Sequence, residues 1–164
     1  MAKPSIGQQL LLPKYQLGKF IAVQRWLVRR RVPGHGWMCS WLSWVVHALY
    51  GCEIAGTARI PRSVRFPHPT GIVIGAGVTL GERVTVYQNV TLGSHGKPGV
   101  AAGYPTIGDD TTIYAGAVIV GNVSIGAGCV IGSNAVLAVD LPAGAVVLAA
   151  KPTIRGTETA AKQD

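Results

Sequence analysis

Residues 107–137 read IGDDTTIYAGAVIVGNVSIGAGCVIGSNAVL and divide naturally into sixes. An aliphatic residue opens each six at Ile107, Ile113, Ile119, Ile125, Ile131 and Leu137, and a small or β-branched residue takes the fifth place at Thr111, Ala117, Val123, Cys129 and Ala135. Upstream, the same frame begins at Ile54, Ile60 and Phe66, slips by two residues, and resumes at Ile74, Leu80, Val86 and Leu92. The fifth places there are Ala58, Val64, Thr70, Val78, Val84 and Val90, and Leu141 closes the series. Glycine follows the first place at Gly75, Gly81, Gly93, Gly108, Gly126 and Gly132, where a tight turn between short strands calls for a free φ. A period of six suits neither an amphipathic helix nor a hairpin. It predicts a parallel β-helix in which each hexad forms one side of a triangular coil and the first-place aliphatics stack inward, coil upon coil.

The composition agrees. Of 164 residues, 22 are glycine, 48% are hydrophobic and 13% are charged, which is too apolar for a disordered chain and too rich in glycine and β-branched residues for a helical bundle. The length is enough for one domain with a real core. Three cysteines, Cys39, Cys52 and Cys129, without CxxC spacing indicate neither a disulfide framework nor a zinc site, and a reducing compartment fits them best. There is no signal-peptide pattern, and the apolar stretch from Trp37 to Tyr50 is broken by serines and His47, short of the roughly 20 residues of a membrane span. A cytoplasmic protein is expected.

Charge is unevenly distributed. Residues 1–52 carry Lys3, Lys14, Lys19, Arg25, Arg29, Arg30 and Arg31 and no acidic residue, so nearly all of the net charge of +8 belongs to this arm. The arm predicts two helices, about 16–31 and 37–50, broken at Pro33-Gly34. Its cations and Trp26, Trp37, Trp41 and Trp44 suit a surface set against anionic lipid headgroups, at the inner face of the membrane. A helical cap packed on the next domain, its arginines merely solvated, is the plainer reading. Nucleic acid is not expected, because the tryptophans are grouped with aliphatic residues rather than interleaved with arginines as a stacking platform would be. The apolar positions are too dense for one exposed face, so part of the arm should be buried against a partner chain or a bilayer.

The repeat fails at length once. Residues 94–106, SHGKPGVAAGYPT, cannot continue the strand pattern and should protrude as a loop, a common place for function. The predicted organisation is an arm over 1–52, a β-helix over 53–156 that includes this loop, and a polar tail over 157–164.

The stretch from Gly51 to Gly156 resembles the hexapeptide-repeat acyltransferases, and within them the serine acetyltransferase group. The similar segments are Glu53-Ile54 with His68 fifteen residues later, Gly71-Ile72-Val73-Ile74-Gly75, Thr91-Leu92-Gly93, Gly121-Asn122 and the closing Lys151-Pro152-Thr153-Ile154-Arg155-Gly156. The resemblance implies an all-β left-handed parallel β-helix, a homotrimer and acetyl-CoA as cosubstrate, with no metal. Where the serine enzymes carry Arg-His-Pro in the protruding loop, this chain has Gly103-Tyr104-Pro105. Together with the short basic arm and the Tyr-Gly-Cys-Glu-Ile lead into the coil, that difference looks more like the acetyltransferases of exopolysaccharide (colanic-acid type) biosynthesis. The expected activity is therefore O-acetylation of a sugar hydroxyl on a small-molecule or lipid-linked acceptor in surface-polysaccharide biosynthesis. Serine O-acetylation and a non-catalytic β-helix scaffold are the alternatives.

Acetyl transfer from a thioester to an alcohol needs a base for the hydroxyl proton, and histidine is the usual one at neutral pH. His68, held between Pro67 and Pro69, matches the family's catalytic histidine. Glu53, at about eighteen residues per coil, is expected nearly above or below it, where it would orient the imidazole, unless it pairs with Arg59, Arg62 or Arg65 instead. His95 and Tyr104 in the loop are the candidates for contacting the acceptor. By resemblance Gly93, Ala115 and Ser133 line the coenzyme A groove between two β-helices of the trimer, and Lys151 and Arg155 meet the nucleotide phosphates. Only His68 and His95 fall in the coil region, too few for a three-histidine metal site.

Overall fold

The computed structural model of the protein describes residues 13–30, 33–96 and 102–150. The polar tail and the closing Lys151–Gly156 segment lie outside the described residues. Among the described residues two helices come first, α1 (Pro13–Arg30) and α2 (His35–Tyr50), separated at the predicted Pro33-Gly34 break. Gly34 adopts the left-handed conformation at the start of α2, with φ 77°, and Gly51 does so at its end, with φ 61°. The Gly51 amide donates to the His47 carbonyl at 2.8 Å, closing the helix and turning the chain into the coil.

Twelve short strands follow: β1 (Glu53–Ile54), β2 (Val73–Ile74), β3 (Thr79–Leu80), β4 (Thr85–Val86), β5 (Thr91–Gly93), β6 (Thr106–Ile107), β7 (Thr112–Ile113), β8 (Val118–Val120), β9 (Ser124–Ile125), β10 (Val130–Ile131), β11 (Val136–Leu137) and β12 (Val146–Val147). They form three sheets of parallel strands, which are the three sides of a left-handed β-helix. The first side is β1-β2-β5-β8-β11, the second β3-β6-β9, and the third β4-β7-β10-β12. The register pairs Val73 with Thr91 and Thr112 with Val130, a step of 18 residues per coil. Every first-place residue from Ile54 to Leu137 is buried, as the hexads predict. The core continues into the arm, where Leu17, Ile21 and Val46 join the coil residues. Gln24, buried between the helices, donates from Nε2 to Ser43 Oγ at 2.9 Å.

Two details differ from the expectation. Thr70 is exposed, and Ile72, fully buried, takes the inward place. The first coil is longer, pairing Glu53 with Val73, a step of 20, and the two additional residues push the segment before Ile72 outward. The role of the glycines also differs. None of the six that follow a first place has a positive φ. At six positions the left-handed conformation falls three residues after a first place: Arg83, Asn89, Asp110, Gly116, Gly128 and Asn134. Gly81, Gly108, Gly126 and Gly132 instead permit close approach of successive coils, whereas Gly75 faces the Tyr104 ring and Gly93 faces open space. A Cβ on Gly108 would stand 2.5 Å from the Ala127 nitrogen, and one on Gly81 2.6 Å from that of Asp109.

Cys52 and Cys129 are buried and Cys39 is half-buried. Burial pushes the Cys52 thiol above its ordinary range, partly offset by the amides of Ile72 and Gly71, so at neutral pH it stays protonated and unreactive. In a thiol titration of the native protein with an aromatic disulfide, Cys39 should react first, and Cys52 and Cys129 only after denaturant is added. Rapid labelling of Cys52 in native protein would contradict this packing.

Candidate active site

The longer first coil places its two additional residues where His68 sits. Phe66 and Pro69 are buried on either side of it while His68 is exposed, so the imidazole stands out from the corner between the third and first sides. The prolines restrict the backbone there, and the turn is closed by the Thr70 amide donating to the His68 carbonyl at 2.9 Å. Gly71, left-handed at φ 65°, donates to the Tyr50 carbonyl at 3.1 Å, which ties this corner to the end of α2.

The expectation that Glu53 and His68 stack directly does not survive the register. Glu53 pairs with Val73, five residues beyond His68, because the coil between them has 20 residues rather than eighteen. Glu53 is exposed on β1, and the structure contains no hydrogen bond or ion pair between the two. Nor does Glu53 pair with Arg59, Arg62 or Arg65. The ion pair seen among the described residues is Arg83 with Asp110, on the solvent side of a different corner. Arg83 donates from Nε to Asp110 Oδ1 at 2.6 Å and holds the Asp110 carboxyl below its ordinary range.

Aromatic residues not singled out in the sequence accompany His68. The Tyr87 ring lies 6.1 Å from the imidazole, tilted by 41°, and Tyr114 stacks on Tyr87 at 5.1 Å and 20°. The signal was the register itself, since pairing of Thr85 with Thr112 carries Tyr87 onto Tyr114. The same corner holds Gln88, Ala115 and Ser133 in successive coils: the Gly116 amide donates to the Gln88 carbonyl at 3.0 Å and the Asn134 amide to the Ala115 carbonyl at 2.9 Å. Gln88 Oε1 is buried without a hydrogen-bond partner, the one such side-chain atom found among the described residues. A buried acceptor left unsatisfied costs about 1–3 kcal/mol.

The other predicted residues lie across the first side. Gly93 ends β5 at the corner between the first and second sides, where the loop leaves the coil. Pairing of Thr79 with Thr106, a step of 27 residues, shows how much chain the loop adds. His95 is exposed there, with its ring 3.7 Å from the site of a Cβ on Gly121. Tyr104 is half-buried on the coil surface. Its ring lies on Gly75 and Gly77, half-buried, with ring atoms 2.7 Å from a Cβ on Gly75 and 2.8 Å from one on Gly77. It anchors the returning end of the loop. Lys151 and Arg155, expected near nucleotide phosphates, lie outside the described residues. Among the described residues no cluster of three or more His, Cys, Asp or Glu is placed to hold a metal.

The residues singled out thus fall on two edges of one sheet: His68 with Ala115 and Ser133 on one, and Gly93 with His95 and Tyr104 on the other. An alanine at Gly77 should displace the Tyr104 ring, lowering stability by about 1–3 kcal/mol. In a thermal-unfolding double-mutant cycle the loss should be smaller when Tyr104→Ala is already present; strict additivity would show that the ring does not rest there.

Residues 104–138 match the family model "Bacterial transferase hexapeptide (six repeats)". The chain is 33% identical over 144 residues, 87% of its length, to a serine acetyltransferase of Synechococcus elongatus, of which it covers 57%. A soybean serine acetyltransferase solved with serine aligns at a TM-score of 0.71 and 32% identity, over 79% of this chain and 51% of that one. A serine acetyltransferase solved with CoA aligns at a TM-score of 0.75 and 26% identity, over 85% and 56%. The chain therefore spans little more than half the length of these proteins. These names correct the expectation of a polysaccharide sugar as acceptor and of closeness to the colanic-acid type, since these relatives in sequence and in structure are named serine acetyltransferases. In sequence and in fold, the chain is a hexapeptide-repeat β-helix protein similar to the serine acetyltransferases.

Proposed function

We propose that this chain is an acetyl-CoA-dependent serine O-acetyltransferase, with His68 as general base and a homotrimer as the working unit. The observation that carries the reading is His68, set out from the coil by the longer first turn, in a chain whose relatives bear that activity in their names. The imidazole takes the proton of the serine hydroxyl as its oxygen attacks the thioester carbonyl carbon, and the carbon–sulfur bond then breaks. The proton passes to the departing sulfur, leaving O-acetylserine and coenzyme A. Tyr87, with Tyr114 stacked on it, lies beside the imidazole at this corner.

The trimer reading rests on the division of the site. Ala115 and Ser133 accompany His68, whereas Gly93 and the loop lie across the first side, so one copy's His68 corner must meet another's loop corner to enclose coenzyme A and serine. Gln88 Oε1 is then placed to receive a donor from the bound molecules or the neighbouring copy.

With acetyl-CoA present, thiol release should depend on L-serine and fall about 10²–10⁴-fold in His68→Ala. Equal rates in the two proteins would leave a scaffold rather than an enzyme. Glu53→Gln should cost less than His68→Ala, since Glu53 makes no hydrogen bond or ion pair with the imidazole. Chains carrying His68→Ala and chains carrying a disabling loop deletion should regain activity when unfolded and refolded together, because mixed trimers contain intact pairs of corners. Failure of such mixtures to recover any activity would place the whole site within one chain.

A further inference from the structure

Helix α2 has two opposed faces of different character. Leu42 and Val46 are buried, and Cys39 and Ser43 turn to α1, where the thiol donates to the Gln24 carbonyl at 3.8 Å and the hydroxyl accepts from Gln24 Nε2. On the opposite side stand Trp37, Trp41 and Trp44, spaced i, i+4 and i+7 and therefore in one row. They are 75%, 54% and 66% exposed. The helix carries no Lys, Arg, Asp or Glu over its 16 residues. Three indoles in a row on an uncharged outer face make a contiguous apolar surface of the kind that marks an interaction site. Neither the core nor the acetyl-transfer site makes use of it.

We propose that this row docks the protein on anionic membrane lipid, with α2 lying in the headgroup region and the indoles at its boundary with the acyl chains. Indole favours that boundary because its ring is apolar and its N–H remains able to donate to water and carbonyls. The charge of the arm selects the partner. Residues 1–52 carry seven Lys and Arg and no carboxylate, and Lys19 and Arg30 are exposed on α1. Such a segment is drawn to a negative lipid surface at about 1 kcal/mol per basic residue near it. Pairing of the same face with a second copy would instead bring two strongly cationic arms together without an acidic group on either. No helix among the described residues is long and apolar enough to cross a membrane, so the contact lies along the surface. At about 1.5 Å per residue α2 offers a rod of roughly 24 Å, and the three indoles lie along its first two-thirds.

The test is co-sedimentation of the full chain with vesicles of phosphatidylglycerol and phosphatidylcholine, compared with phosphatidylcholine alone, at low and high salt. The chain should pellet with the anionic vesicles at low salt, with affinity about tenfold or more weaker on zwitterionic vesicles, at high salt, and in the triple variant Trp37→Ser/Trp41→Ser/Trp44→Ser. In a Trp26→Phe background, brominated acyl chains should quench the remaining indole emission of otherwise unaltered protein, a readout that does not depend on the triple variant folding. Wild-type protein that stays in the supernatant with anionic vesicles overturns the proposal. So does triple-variant binding equal to wild type, or indole emission that brominated lipid leaves unchanged. A fall in the lipid-free oligomeric mass on triple substitution, with no vesicle binding by wild type, would assign the face to a second copy. Vesicle binding is read without any acetyl acceptor, so its failure is separable from failure of the serine reading.

Discussion

The inward stacking of one aliphatic side chain per hexad is the constraint on which the molecule depends. Strands of two or three residues make too few hydrogen bonds to hold a sheet by themselves. Ile74, Leu92 and Ile119 on the first side, with Ile113 and Ile131 on the third, are removed from water almost completely and lie directly over one another. Each such burial contributes about 1.5–3 kcal/mol, and because every coil supplies the floor of the next, the contributions are realised together. The close coil spacing this requires explains glycines that would otherwise look like turn residues: at Gly108 and Gly126 the neighbouring backbone lies where a side chain would go.

A stack this regular gives the chain few places to build chemistry, and function is read where the regularity breaks. The first break adds two residues to the first coil and turns His68 outward at a corner fixed by two prolines and by the tie from Gly71 to the end of α2. The second adds the loop between β5 and β6, whose returning end is pinned by Tyr104 on Gly75 and Gly77. The breaks occur at different corners, and the proposed function joins them by setting the His68 corner of one copy against the loop corner of another.

The fold was legible because a period of six has few physical realisations, and every first-place residue proved buried. The site was legible only in part. His68 stands out in the sequence because it lies between two prolines and matches the catalytic histidine of the family the chain resembles. The expected stacking of Glu53 on it failed because a uniform coil of eighteen residues was assumed, although the slip in the frame lengthened that coil to 20. Glycine after the first place suggests a need for free φ, yet at Gly81, Gly108, Gly126 and Gly132 it serves close approach, since conformational freedom and lack of volume look identical in a sequence. Tyr87, Tyr114 and Gln88 went unnoticed because their meeting depends on register across the loop insertion, and an unsatisfied buried carbonyl has no signature in composition. The arm's tryptophans were visible as a group, but that three of them form one outward row required knowing which face of α2 is buried.

The account's central claim is that catalysis occurs where the His68 corner of one copy meets the loop corner of another. A crystal structure of the protein with coenzyme A tests it most directly. The account predicts coenzyme A in a groove between two β-helices, its thiol near the His68 imidazole of one copy and its pantetheine or nucleotide against the Gly93 and loop corner of the neighbour. Coenzyme A held entirely on one copy, or bound at an edge far from His68, would contradict it.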